Sequence, residues 1–138
     1  MGAVSVVRVY LDTCAVIYLV EGAPEVRAPV LARLRRERPV LVVSDLTRLE
    51  CRVGPMRTGD HATLALYDRF FRADGVELAP LSSDVFELAT EIRARLGLRV
   101  PDALHVAAAV RSGCRAFWTN DLRLKAAEPY IPIDLTGP

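Results

Sequence analysis

The chain has 138 residues, 51% of them apolar and 25% charged, a length and polarity that suit one globular domain spanning residues 1–138 and argue against intrinsic disorder. Eighteen Lys plus Arg against seventeen Asp plus Glu leave a formal charge of +1, which excludes a protein that attracts nucleic acid by overall positive charge; any such contact must use a local patch. Cys14, Cys51 and Cys114 are far apart, and the histidines are His61 and His105 alone, so neither a structural zinc site nor a disulfide framework is expected, and the usage fits a reducing cytosol. Arg8, Asp12 and Glu21 interrupt the apolar start, which therefore reads as neither a signal peptide nor a membrane span.

Val6 to Leu11 is β-rich and mostly apolar, as a buried strand should be. It runs into Asp12-Thr13, good helix-start residues, and a short buried helix from Cys14 to Val20. After the break at Gly22-Ala23-Pro24, Val26, Val30, Leu31 and Leu34 recur at helical spacing over 25–38, with Pro29 near the start of that helix's main part. Val40 to Val43 is a second strand, and Ser44 and Asp45 offer an N-cap for a helix carrying Leu46, Leu49, Glu50 and Val53. Gly54-Pro55 and Gly59 punctuate, and His61 to Ala73 reads as another helix. A third strand is expected at Val76 to Leu81, then a helix from Ser82-Ser83-Asp84 stopped at Gly97. Pro101 opens the next helix at its first turn. Ala116 to Thr119 is a fourth strand, and Ile131 to Leu135 a candidate fifth. Apolar strands alternating with amphipathic helices predict a three-layer α/β/α fold with a central parallel sheet of four to five strands, and its crevice lies beyond the strands' carboxyl ends.

Acidic residues collect at those ends. Asp12 follows the first strand, Glu50 sits within two turns of the start of the helix after the second, and Asp121 lies just past the fourth. Asp102 is in the first turn of the helix before that strand. Each alone could serve as a helix-start acid meeting the helix dipole. Glu50 is not at a cap, however, and Leu46, Leu49 and Val53 put it beside an apolar face. Four carboxylates brought together would repel by about 4 kcal/mol per pair near 4 Å at a typical effective dielectric. Either their pKa values rise or a cation neutralises them, and an all-oxygen cluster suits Mg²⁺ or Mn²⁺ rather than zinc.

Four short motifs occur in chain order: Leu11-Asp12-Thr13, Leu49-Glu50-Cys51-Arg52, Pro101-Asp102-Ala103-Leu104-His105 and Thr119-Asn120-Asp121. The set resembles the PIN-domain ribonucleases, most closely the small VapC-type toxins of toxin–antitoxin pairs, over 6–134. The resemblance implies a PIN-like α/β/α fold and hydrolytic, Mg²⁺- or Mn²⁺-dependent cleavage of RNA phosphodiesters. It also implies a cytoplasmic homodimer blocked by a cognate antitoxin. Asp12 and Asp102 would be the main metal ligands, with Glu50 and Asp121 completing the acidic catalytic site directly or through water. Thr13 and Thr119 match polar positions where a hydroxyl orients water or a carboxylate, or else caps backbone. Cys14 stands where a small polar residue is more usual.

Other residues have plainer readings. His105 shares a helical face with Asp102 and could act as an acid–base group, but the surrounding Ala and Val favour a packed, hydrogen-bonded histidine. Arg33, Arg35, Arg36 and Arg38 could hold RNA backbone, although a basic run at a helix C-terminus is ordinarily its solvated face. Cys14 and Cys51 lack a motif that would supply a base and read as small core residues, and Trp118 as core. The alternative to a nuclease is a receiver-like or other non-catalytic α/β binding module. A receiver would show adjacent acids after the first strand and a lysine after a late one, but Asp12 stands alone and Lys125 follows no strand closely. A haloacid-dehalogenase-type phosphatase would carry a second Asp where Cys14 stands, and no glycine-rich nucleotide-binding fingerprint is present.

Overall fold

The computed structural model of the protein describes residues 6–136. Strands β1 (Arg8–Leu11), β2 (Val40–Ser44), β3 (Val76–Ala79), β4 (Ala116–Thr119) and β5 (Ile133–Leu135) form a parallel five-stranded sheet. Helices α1 (Thr13–Glu21) and α2 (Pro24–Glu37) connect β1 to β2, and α3 (Asp45–Thr58) and α4 (His61–Phe71) connect β2 to β3. Helices α5 (Ser83–Leu96) and α6 (Val100–Arg111) lead back to β4, and a 3₁₀ helix, Leu122–Ala127, precedes β5. The strand order is β3-β2-β1-β4-β5, so the chain steps outward from β1 on one side and returns on the other. Val9 pairs with Leu41 on one flank and Ala116 on the other. The carboxyl ends of β1 and β4 are therefore a topological switch point, where open parallel sheets form their crevice.

Alternation along the strands divides the interior. Val9, Leu11, Val43, Ala116 and Trp118 face a core closed by Ala15, Val16 and Leu19 of α1, Val30 of α2, Cys51 of α3, and Tyr67 and Phe71 of α4. Tyr10, Val42, Phe117 and Ile133 face the opposite core, with Val85, Ala89 and Ile92 of α5 and Ala103, Leu104, Ala107 and Ala108 of α6. This is the expected α/β/α layering. Trp118 is buried, as its strand position implies, and the Arg33 guanidinium lies over its ring, 4.1 Å from the centroid. Arg33 also pairs with Glu37 and with Asp134 of β5, so this member of the basic run packs against the sheet rather than presenting itself to RNA.

Several boundaries differ from the sequence expectation. Helix α2 runs from Pro24 to Glu37, one residue from the expected 25–38, with Pro24 in the first turn, where a missing N–H costs nothing, and Pro29 inside the helix rather than near the start of its main part. Helix α3 passes through Gly54-Pro55 to Thr58, whose hydroxyl donates to the Gly54 and Pro55 carbonyls, and Gly59 at φ +71° ends it. Strand β5 starts at Ile133, not Ile131, since the Ile131 N–H is spent on the Ala127 carbonyl and Pro132 has none to offer. The face of α3 also differs: Leu49 and Val53 are 60% and 47% exposed, while Thr47 and Cys51 are buried. Glu50 thus owes its position to the Thr47-Cys51 face and not to the apolar residues that flank it in sequence.

Four alanines, Ala103, Ala107, Ala108 and Ala109, give α6 a low surface that is fully buried. Ala107→Leu is expected to overpack it and to cost about 1–3 kcal/mol. Urea denaturation should show a lower midpoint with an unchanged slope.

Candidate active site

Asp12 is the residue after β1 and the N-cap of α1, and it is 8% exposed. Both its carboxylate oxygens are engaged: Oδ1 accepts from the Thr13 N–H at 2.9 Å and Oδ2 from the Thr119 hydroxyl at 2.7 Å. The Asp121 N–H in turn donates to Thr119 Oγ1 at 3.0 Å. One threonine hydroxyl at the end of β4 therefore orients Asp12 and anchors the turn that carries Asp121. Thr13 acts likewise on the other flank, its hydroxyl donating to Glu50 Oε1 at 2.7 Å. Both threonines orient carboxylates, and Thr13 also bridges Asp12 to Glu50.

Asp102 arrives from the other helical layer, at the start of α6, which Arg99 precedes as N-cap. Burial, followed by the negative charge of Asp12, pushes the Asp102 carboxyl above its ordinary value, against opposing pulls from Arg99 and Arg123. Arg99 Nε lies 3.8 Å from Asp102 Oδ2. Glu50 behaves oppositely: burial raises it, but hydrogen bonds from His105 and Thr13 and the His105 charge together hold it below its ordinary value. Asp121 is held low chiefly by hydrogen bonding to Arg123, whose Nε lies 3.0 and 3.1 Å from its carboxylate oxygens.

The structure thus couples Asp12 to Asp102 by charge, Asp12 to Glu50 through Thr13, and Asp12 to the Asp121 turn through Thr119. Among the described residues no three His, Cys, Asp or Glu side chains form a group that could hold a metal ion. The donors are nevertheless what a hard divalent cation takes, all oxygen, and the Asp12–Asp102 repulsion is what such a cation would relieve. Cys14 Sγ lies 3.8 Å from Asp12 Oδ2 and from Thr119 Oγ1, and burial with the Asp12 charge pushes its thiol up to about 11. Burial pushes Cys51 up to about 12. Both stay protonated at neutral pH, as inert packing residues do.

His105 is buried and hydrogen-bonded, as the sequence favours, yet it is also a direct partner of Glu50, with Nε2 2.6 Å from Oε1. Its other partner, the Tyr10 hydroxyl, escapes sequence reasoning, as do Ser44, Arg99 and Arg123. The available signal was a tyrosine within an otherwise apolar central strand, whose buried hydroxyl must find a partner.

The sequence pattern of the PIN domain matches residues 9–128, and the chain belongs to that family. No curated protein matches it significantly in sequence. Among solved structures it is similar to VapBC2 from Rickettsia felis bound to a promoter DNA fragment, with 16% identity, a TM-score of 0.75, and coverage of 93% of this chain and 98% of that one. It is also similar to DNA-bound VapBC from Salmonella typhimurium, at 21% identity, a TM-score of 0.74, and coverage of 94% and 98%. VapBC-5 from Mycobacterium tuberculosis, of the VapBC toxin–antitoxin family, gives 17%, 0.62, 95% and 98%. These likenesses show a shared fold. Among the described residues no helix is long and apolar enough to cross a membrane.

The raised carboxyl of Asp102 has a consequence for stability. A carboxyl whose folded pKa exceeds its unfolded value destabilises the fold once pH passes the unfolded value, because ionisation is then harder in the folded state. In chelator at pH 7, Asp102→Asn should raise Tm, because the amide carries no charge to be destabilised by burial and by Asp12. The gain should vanish below the ordinary aspartate pKa, where the wild-type side chain is protonated in both states. Thermal unfolding at several pH values reads it directly.

Proposed function

We propose that the chain, taken as one PIN domain, is a metal-dependent endoribonuclease that hydrolyses RNA phosphodiester bonds and is the toxin of a type II toxin–antitoxin pair. Family membership supports the hydrolytic nuclease class. The observation that carries the reading is Asp12, a buried carboxylate at the switch point of the sheet, fixed through both oxygens and close enough to Asp102 to raise its pKa. A passive binding module has no need of a second carboxylate placed against the first, and a receiver would carry its second acid next to Asp12 in sequence rather than on α6.

In this reading Asp12 and Asp102 would hold Mg²⁺ or Mn²⁺, with Glu50 and Asp121 completing the acidic catalytic site directly or through water. The bound ion would polarise a phosphoryl oxygen and lower the pKa of water. The chain's own residues supply order. Thr13 and Thr119 stop the Asp12 carboxylate from rotating, so it meets its ligand without reorganisation. Thr13 fixes Glu50 relative to Asp12. Arg99 and Arg123 lie beside Asp102 and Asp121, where they offset the acidic field that a polyanionic substrate must approach.

A cognate antitoxin as partner is supported by the likeness to VapBC assemblies, and a cytoplasmic homodimer belongs to the same reading. Asp12→Asn retains the helix cap but not the charge. Cleavage of total cellular RNA by purified protein freed of any copurified partner should require Mg²⁺ or Mn²⁺ and stop in chelator. The variant should fall by about 10³-fold, or roughly 4 kcal/mol of transition-state stabilisation, with its Tm preserved. Undiminished cleavage by Asp12→Asn would sink the assignment.

A further inference from the structure

Besides Asp12 and Thr119, four buried side chains with polar groups lie near the end of β1: Tyr10, Ser44, Thr47 and His105. They form a ring of contacts that begins and ends on α3. At its start, the Ser44 and Thr47 side chains form a reciprocal capping box, with the Ser44 N–H donating to Thr47 Oγ1 at 3.1 Å. Ser44 Oγ lies 2.9 Å from the Tyr10 hydroxyl, which lies 2.7 Å from His105 Nδ1. His105 Nε2 closes the ring on Glu50, 2.6 Å from Oε1. Glu50 as a carboxylate only accepts, so Nε2 carries the proton and donates.

Stability alone does not call for such a ring. A set of buried polar groups is commonly matched or bettered by apolar side chains of similar volume, whereas a fully satisfied one fixes geometry. What this ring fixes is specific. The Thr13 hydroxyl and His105 Nε2 both donate to Oε1 of Glu50, and among the described residues no hydrogen bond reaches Oε2. With both lone pairs of Oε1 engaged, the carboxylate can neither swing nor offer two oxygens. Only Oε2 remains. The His105 ring is itself held, tilted against Tyr10 at 5.6 Å between centroids, while Tyr10 stacks on Phe117 at 5.4 Å.

We propose that His105 is a positioning residue: clamped by Tyr10 and Ser44, it pins Oε1 of Glu50 so that this carboxylate meets a divalent cation or its water through Oε2 alone. The inference rests on the metal-dependent reading given above and adds to it a role for a residue outside the four acids. Groups that orient a metal ligand in this way typically carry 10–100-fold in metal affinity.

The test is Mn²⁺ binding to the purified full-length chain by calorimetry, alongside Tm and RNA cleavage. His105→Leu removes the donor and keeps an apolar bulk; its Mn²⁺ affinity should fall by about 10-fold or more in protein that is still folded, with a lower Tm from the Tyr10 hydroxyl left unpaired. His105→Gln, which retains an N–H that can reach Oε1, should recover most of the affinity. A His105→Leu protein that binds Mn²⁺ and cleaves within twofold of wild type would overturn the inference and leave His105 as core packing. Should His105→Leu fail to fold, Tyr10→Phe and His105→Gln carry the test. Loss of the Tyr10 hydroxyl should weaken Mn²⁺ binding several-fold while Gln does not, and equal affinity in both overturns the role. Wild-type protein that binds Mn²⁺ yet cleaves no RNA removes the ribonuclease reading and leaves the positioning role to the Mn²⁺ titration. Wild-type protein that binds no Mn²⁺ overturns both.

Discussion

A carboxylate buried at the end of a central strand must be compensated, and the arrangement around Asp12 is organised by that requirement. Taking an ionised carboxylate out of water costs several kcal/mol unless hydrogen bonds replace the solvent. Here the replacement comes from the first N–H of α1, which follows Asp12 directly, and from a hydroxyl at the end of β4, placed by the parallel pairing of β1 with β4. The same two threonines extend outward to Glu50 and to the Asp121 turn. Satisfying one buried charge thereby places two further acids, and the charge of Asp12 reaches a third, Asp102.

Helix α6 shows how packing and polarity share one element. Its buried alanines lie within the core on that face of the sheet, and close seating of the helix brings its first turn, with Asp102, to the switch point. One turn further, the same helix points an imidazole at Glu50. A bulkier core face would move both. The small residues of α6 thus bear on the site through the seating of the helix that carries Asp102 and His105.

The layered architecture was legible from the alternation of apolar strands with amphipathic helices, because a strand buried on both faces has to be apolar throughout. Asp12 and Asp102 were legible for a related reason: an acid directly after a strand or in a first helical turn has its location set by the backbone. Glu50 lies on the expected helix, but the face of that helix turned to the interior is not the expected one. The apolar residues at 46, 49 and 53 suggest one inward face, whereas the capping box of Ser44 and Thr47 rotates α3 so that Thr47 and Cys51 point in while Leu49 and Val53 meet solvent. A single helix's periodicity cannot reveal which of two neighbouring stripes the rest of the fold will cover. The Tyr10-His105 contact spans 95 residues, and no local pattern encodes it. Arg123 could have been noticed as a charge two residues past Asp121, but only side-chain geometry shows that it folds back onto that carboxylate.

The acids also differ in which side of the sheet delivers them. Asp12 and Glu50 are attached to α1 and α3, which pack on one face, while Asp102 belongs to α6 on the other. The gap between Asp12 and Asp102 is consequently set like the jaws of a calliper, the fixed jaw on the sheet, where the Asp12 N–H meets the Trp118 carbonyl, and the other on α6. A slide or tilt of α6 over the strands moves that second jaw, since no flexible loop intervenes between Asp102 and the body of α6. Anything that grips α6 firmly enough to shift its seating therefore changes the spacing of the acids from a distance, without entering the crevice between them.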